Sequence, residues 1–278
     1  MSIYWVIKAN GERVKYNRNK IINSLIRAGS DTEHARGIVK QIEGELYDGS
    51  TTKEILKVAL KKLGDRPEIA MRYNLKQAVM TLGPAGFAFE KFFAEVLRNY
   101  GYETKINQIM PGKNVNHEVD VAAKEPKTNK RFMIECKYHN QPGIYTDVKA
   151  TLYTYARFLD LKKFFDGPWL VSNTKFSSDA IAYGEGVGMR ITSWNYPLTN
   201  SIQSLIEEKK LYPVTILQSA RGAIIDKLGN AGLMLAGDLL KLSVEEIVIK
   251  TGIDAAKVKR LHYEAGCICH NGNGENKN

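Results

Sequence analysis

Cysteine is scarce in this chain. Cys136, Cys267 and Cys269 are the only three in 278 residues, too few and too clustered for a disulfide framework. No apolar run is long enough to cross a bilayer, and no signal-peptide pattern opens the sequence. A reducing cytoplasm with no membrane attachment is therefore the expectation. No Gly-x-x-x-x-Gly-Lys-[Ser/Thr] stretch occurs, which speaks against ATP hydrolysis by a P-loop. Acidic residues are the minority, 30 against 40 lysines and arginines, so the net charge is +10 and the pI about 9.3. An excess of this size suits a polyanionic partner, because cationic side chains release counterions from nucleic acid. What remains is ordinary for a globular protein, 44% hydrophobic and 25% charged, and the length accommodates two or three domains.

The most informative stretch lies mid-chain. Asn-His-Glu-Val-Asp-Val (116–121) and Phe-Met-Ile-Glu-Cys-Lys (132–137) read as short strands, and Lys-Glu-Pro-Lys-Thr-Asn-Lys (124–130) as the turn between them. Strand side chains alternate, so Glu135 and Lys137 share one face while Ile134 and Cys136 share the other. The hairpin thus carries two carboxylates, Asp120 and Glu135, and one ammonium, Lys137. Two carboxylates can hold a divalent cation, and a lysine beside them can position a water or steady a charged oxygen. Glu118, two residues before Asp120, is an alternative ligand. Around the hairpin the sequence predicts a helix over 86–100 and a strand over 102–108. Beyond it come a helix over 147–165, a strand over 169–173, a helix over 177–185 and a strand over 189–194.

The Asp…Glu-x-Lys pattern in this order of elements resembles the PD-(D/E)XK restriction-endonuclease superfamily, in its Mrr-like branch, over about 85–196. Val119 stands where the superfamily's name has proline. The resemblance implies Mg²⁺ (or Mn²⁺) held by Asp120, Glu135 and the backbone carbonyl of Cys136, with Lys137 orienting the attacking water or bonding the phosphorane. Glu90 matches the acidic residue that related families place on the first helix. It either reaches the metal or an outer-sphere water, or is a solvated helix charge. His117 and His139 are expected to be structural, and Tyr155 to pack among Val148, Leu152 and Leu159. Tyr138, Gln141 and Tyr145 are candidates to touch bases or phosphates. Gly184-x-Gly186-x-Gly188 reads as a loop.

The N-terminal segment carries a second signal. Ile-Tyr-Trp-Val-Ile-Lys (3–8) and Arg-Val-Lys-Tyr (13–16) flank Asn10-Gly11, a hairpin turn. Asn17 is placed to cap a helix bearing Ile21, Ile22, Leu25 and Ile26 on one face. A second helix is expected over 32–47, a third capped by Ser50, Thr51 or Thr52, and a fourth over 67–82. The segment resembles the ATP-cone, a nucleotide-sensing module. The likeness rests on Val6, Lys8 and Gly11, on Lys20-Ile21 after Asn17, on Thr52, and on Arg72-Tyr73. Ala9 and Asn10 depart from the usual pattern. The resemblance implies that Val6, Lys8, Asn17, Lys20, Ile21 and Thr52 bind ATP or dATP as an allosteric effector.

Past Pro197 and Pro213 the sequence is helical and amphipathic. Ser243-Val-Glu-Glu looks like a capping box, and 249–260 resembles a helix-hairpin-helix. Gly252, Lys257, Lys259 and Arg260 are its candidate DNA contacts; a dimerising helical bundle is the other reading. The expected organisation is an ATP-cone (1–84), an α/β/α nuclease domain with a mixed central sheet (85–196), a linker (197–213) with one helix over about 198–209, a helical module (214–270) and a disordered tail (271–278). The expected function is a cytoplasmic, Mg²⁺-dependent DNA endonuclease regulated by ATP or dATP, acting on DNA as a possible homodimer. The alternatives are a nucleotide-responsive DNA-binding regulator with a silent nuclease fold, and a structure-specific repair or junction nuclease.

Overall fold

The computed structural model describes residues 4–82 and 89–270. The chain divides into two compact units. The first takes Met1–Ala78, Val214–Lys227 and Ala236–Asn278; the second takes Val79–Pro213 and Leu228–Leu235.

The first unit begins with the expected hairpin. β1 (Trp5–Ile7) pairs antiparallel with β2 (Arg13–Lys15), Val6 opposite Val14. The turn needs a left-handed residue and finds it in Gly11, φ +82°. Side-chain caps then set the helices. Asn17 caps α1 (Arg18–Arg27) and Asp31 caps α2 (Thr32–Glu45). Thr51 caps α3 (Thr52–Lys62) in a reciprocal box with Glu54. The single helix expected over 67–82 is two: α4 (Pro67–Tyr73) and α5 (Leu75–Met80) meet at Asn74, whose amide closes back on Ala70 and Met71. Leu25, Ile38, Val39, Ile42, Ala59 and Leu63 form the core of these helices. Burial of an aliphatic side chain there contributes roughly 1.5–3 kcal/mol.

The second unit opens with α6 (Phe89–Asn99), which buries Phe89, Phe93 and Val96 as its spacing requires. Residues 86–88 of the expected helix lie outside the described residues. β3 (Glu103–Pro111), β4 (Asn116–Lys124) and β5 (Arg131–Lys137) follow as an antiparallel meander. Next come β6 (Tyr145–Thr146), α7 (Val148–Leu161), β7 (Gly167–Ser172) and β8 (Lys175–Phe176), then α8 (Ser178–Gly186), β9 (Arg190–Thr192) and α9 (Ile202–Lys209). The five-stranded sheet has the order β3-β4-β5-β7-β9. β7 joins β5 in parallel, and β9 joins β7 in parallel. β7 is buried along its whole length, as a central parallel strand must be.

Two expectations fail here. Tyr155 packs against the core as expected, but Leu152 and Leu159 are not part of that core. They are 45% and 49% exposed, and the buried face of α7 is carried by Thr151, Thr154, Arg157, Phe158 and Leu161. Gly184 is not in a loop: it lies within α8, where an added Cβ would meet Ile191 Cδ1 at 2.2 Å, so its lack of a side chain lets helix and strand approach. The 197–213 stretch carries the one helix expected in it, and that helix is packed. Its helix α9 buries Ile202, Leu205 and Ile206, and the Leu205 carbonyl accepts the Tyr100 hydroxyl at 3.0 Å.

In the C-terminal part a 3-10 turn (Val214–Ile216) precedes α10 (Ala223–Asn230), α11 (Ala236–Leu239), α12 (Val244–Thr251) and α13 (Ala255–Cys269). The Ser243–Glu246 capping box forms as read, and α12 ends on Gly252 at φ +60°. Within the first unit α13 packs on α4. The Arg72 guanidinium donates to the terminal carbonyls of Ile268 (3.0 Å) and His270 (3.3 Å). No described helix is long and apolar enough to cross a membrane.

Candidate active site

Asp120 alone in β4 has no strand partner on either side. On one side Ile106 pairs Val121 and Gln108 pairs Val119, so Asn107 stands opposite Asp120 without a bridge. Asn107 adopts φ +49°, a left-handed conformation that asparagine tolerates better than most residues. On the other side the β4–β5 ladder ends at Val121–Ile134. Beyond that point the Cys136 amide donates to Asp120 Oδ2 at 2.7 Å instead of to a strand partner. The interruption leaves the Asp120 carboxylate free to face the end of β5.

Glu135 is 5% exposed, and both its oxygens are held by cations. Lys137 Nζ donates to Oε1 at 2.7 Å, as the shared strand face demands, and Arg157 from α7 donates to Oε2. Asp120 feels this cluster. Burial first, then the Glu135 carboxylate, push its carboxyl up from 3.8 to about 6, with Glu90 adding to the rise and Arg157 opposing it. The Cys136 thiol is held well above its ordinary range by burial, then by Asp120 and Glu90, so it stays protonated and is no thiolate ligand. Glu90, Asp120, Glu135 and Lys137 therefore share one electrostatic neighbourhood, whereas Glu118 is exposed on the strand.

The side-chain donors at the centre are the two carboxylates of Asp120 and Glu135. Among the described residues no group of three or more His, Cys, Asp and Glu side chains is arranged to hold a metal ion. Hard oxygen donors nonetheless suit a magnesium-like cation, which keeps several of its waters. The histidines are structural. His139 lies 3.0 Å from Thr146 Oγ1, and burial lowers its pKa. His117 contacts Asp160, whose carboxylate also binds Asn114 and Val115 and so shapes the turn between β3 and β4. Tyr138 is tied to the Met80 carbonyl, while Gln141 and Tyr145 are exposed.

Arg157 is the residue that sequence reasoning missed. It lies on the buried face of α7 with Thr151, Thr154, Phe158 and Leu161, opposite the apolar stripe that the spacing suggested, and its guanidinium carbon lies 5.5 Å from the centroid of the exposed Tyr153 ring.

An uncharacterized protein of Archaeoglobus fulgidus is 43% identical over 173 residues, which cover 62% of this chain and 97% of that relative. The crystal structure of the protein of unknown function AF1548 superposes with a TM-score of 0.58 at 40% identity, covering 65% of this chain and 96% of that one. The chain belongs to the AF1548-like family. Its residues 212–269 match the AF1548-like C-terminal family, 4–75 match the ATP cone domain, and 84–197 match the restriction endonuclease family Mrr_cat. This AF1548-like chain thus joins an ATP-cone to an Mrr-like restriction-endonuclease domain, as the motifs implied.

In the cone, Ile7 of β1 bridges Thr51, which brings Val6 and Lys8 beside the start of α3 and Thr52. Val6 and Ile21 are buried in the core. Lys8 pairs with Glu12 at 2.9 Å. The Asn17 carboxamide is engaged as the α1 cap on the Lys20 amide. In the C-terminal part Lys257, Lys259 and Arg260 are exposed, the last 3.4 Å from Glu264. The Gly252 carbonyl accepts Lys227 Nζ at 2.8 Å.

Proposed function

We propose that this protein is a divalent-metal-dependent DNA endonuclease whose activity responds to a nucleotide bound by its ATP-cone. The observation that carries the reading is the meeting of Asp120 and Glu135 at the paired-strand break. There burial first and the neighbouring carboxylate second push Asp120 to about 6, a perturbation of the kind that functional sites concentrate. Asp120, Glu135 and the Cys136 carbonyl would hold the ion, which when bound would neutralise phosphate charge and supply a water of lowered pKa. Lys137, 35% exposed at its side chain, can leave Glu135 to orient that water or to donate to a phosphate oxygen. Glu90 would act through a water at the rim. Val6, Lys8, Lys20 and Thr52 would receive ATP or dATP, and Gly252, Lys257, Lys259 and Arg260 would contact DNA.

One observation favours the rival reading, a nucleotide-responsive DNA-binding regulator with a silent nuclease fold. Both oxygens of Glu135 already have cationic partners. Plasmid nicking separates the two. The nuclease reading expects Mg²⁺-dependent nicking by the wild type, with and without ATP or dATP, and its loss in Asp120→Ala. Nicking that survives Asp120→Ala, or wild type inert in every combination, refutes it.

A further inference from the structure

Glu135 is an expected metal ligand held by two cations of different freedom. Lys137 is 35% exposed on an unbranched stem. The Arg157 side chain is 9% exposed, stems from the buried face of α7 and lies against the Tyr153 ring. Its Nε has no hydrogen-bond partner among the described residues, and Nη1 is the atom that donates to Glu135. When a cation takes an oxygen of Glu135, the mobile lysine can yield Oε1. The enclosed arginine has no comparable exit and keeps Oε2.

On this basis, which rests on the metal-centre reading above, we propose that Arg157 is a positioning residue that confines Glu135 to one free oxygen and holds down the affinity of the centre for its cation. A charge on one oxygen of a carboxylate stands a few ångströms from whatever binds the other. At the effective dielectric constant of about 20 that suits such sites, that repulsion amounts to several powers of ten in binding, part of which local relaxation returns. A partner that merely stabilised the fold would have the opposite signature, since its removal would loosen Glu135 and weaken the site.

The test is Mn²⁺ binding by the full-length protein without DNA, read as loss of the free-ion electron paramagnetic resonance signal. Arg157→Gln keeps a donor for Glu135 and drops the charge. It should bind Mn²⁺ at least about ten-fold more tightly than wild type. Arg157→Lys, which keeps the charge, should stay within about three-fold of wild type. Equal or weaker binding by Arg157→Gln overturns the proposal while leaving the metal centre standing. Arg157→Met, with a similar stem, is the second variant and carries the same expectation. If neither variant folds, Arg157 is a structural partner and the proposal fails. Asp120→Asn is the control: Mn²⁺ binding that it leaves unchanged removes the metal-centre reading itself.

Discussion

Asp120→Asn should stabilise the metal-free protein, and by an amount that depends on pH. The wild-type carboxyl titrates at about 6 in the folded chain against 3.8 ordinarily, chiefly because it is buried, with Glu135 second. The native state therefore holds this proton more tightly than the unfolded state does. Stability from this group is complete below about pH 4 and is lost as pH rises through about 6. A gap of about two pKa units corresponds to about 3 kcal/mol, and the partial exposure of the side chain brings the expectation to ~1–3 kcal/mol at pH 8. Asparagine carries no charge to desolvate, and its carbonyl can still accept the Cys136 amide that Asp120 accepts at 2.7 Å. Urea melts in EDTA at about pH 8 should show the variant more stable than wild type, and the gap should narrow by ~1–2 kcal/mol at about pH 4.5. Saturating Mg²⁺ should reverse the order at pH 8, because the ion stabilises only the chain that binds it. A variant that is less stable than wild type in EDTA, or a gap of equal size at both pH values, would show that Asp120 carries no such penalty.

Two further predictions concern regions away from this carboxylate. Arg72→Ala removes the charged donor for the carbonyls of Ile268 and His270 and should cost ~1–3 kcal/mol in the first unit. Hydrogen exchange should be faster in the last turn of α13 and unchanged in β7; uniform exchange would contradict this. Asp160→Ala removes the acceptor of the Asn114 and Val115 amides and of the Asn114 carboxamide, so the turn between β3 and β4 should open. Limited tryptic digestion should cut after Lys113 earlier than in wild type, and an unchanged cutting rate would mean that the turn holds without Asp160.

The central trio was legible because its logic is local. Glu135 and Lys137 are two residues apart on one strand, so alternation alone puts them on one face, and the turn at 124–130 fixes the neighbouring strand. Caps were legible for the same reason: Asn17, and Ser243 with Glu246, bind amides within three residues. What failed to show was set by distance along the chain. Arg157 lies 22 residues from Glu135 on another element, and Arg72 lies 196 from Ile268. The reading of α7 erred because apolar residues at helical spacing were taken for its buried face, whereas Thr151 and Thr154 fill it and leave Leu152 outside. The helix within 197–213 was legible between its flanking prolines because Ile202, Leu205 and Ile206 have the spacing of a helix face.

Charge placement also separates the three candidate sites. A helix start attracts anions through its unpaired amides, and two such starts were read as phosphate sites. At α3 the Glu54 carboxylate already accepts the Thr51 amide and hydroxyl, at 2.7 and 2.9 Å. At α13 the Asp254 carboxylate accepts the amides of Ala256 and Lys257, at 3.0 and 3.3 Å. A phosphate approaching either start meets a carboxylate of the chain itself, so its attraction has to come from lysine and arginine side chains or follow withdrawal of the cap. The Asp120 centre has the reverse character. Burial first, and the Glu135 carboxylate second, raise the Asp120 pKa, and two cations already lean on Glu135. The same rule of charge pairing therefore gives the nuclease domain carboxylates with cations of the chain's own beside them, and gives the two helix starts anions of their own.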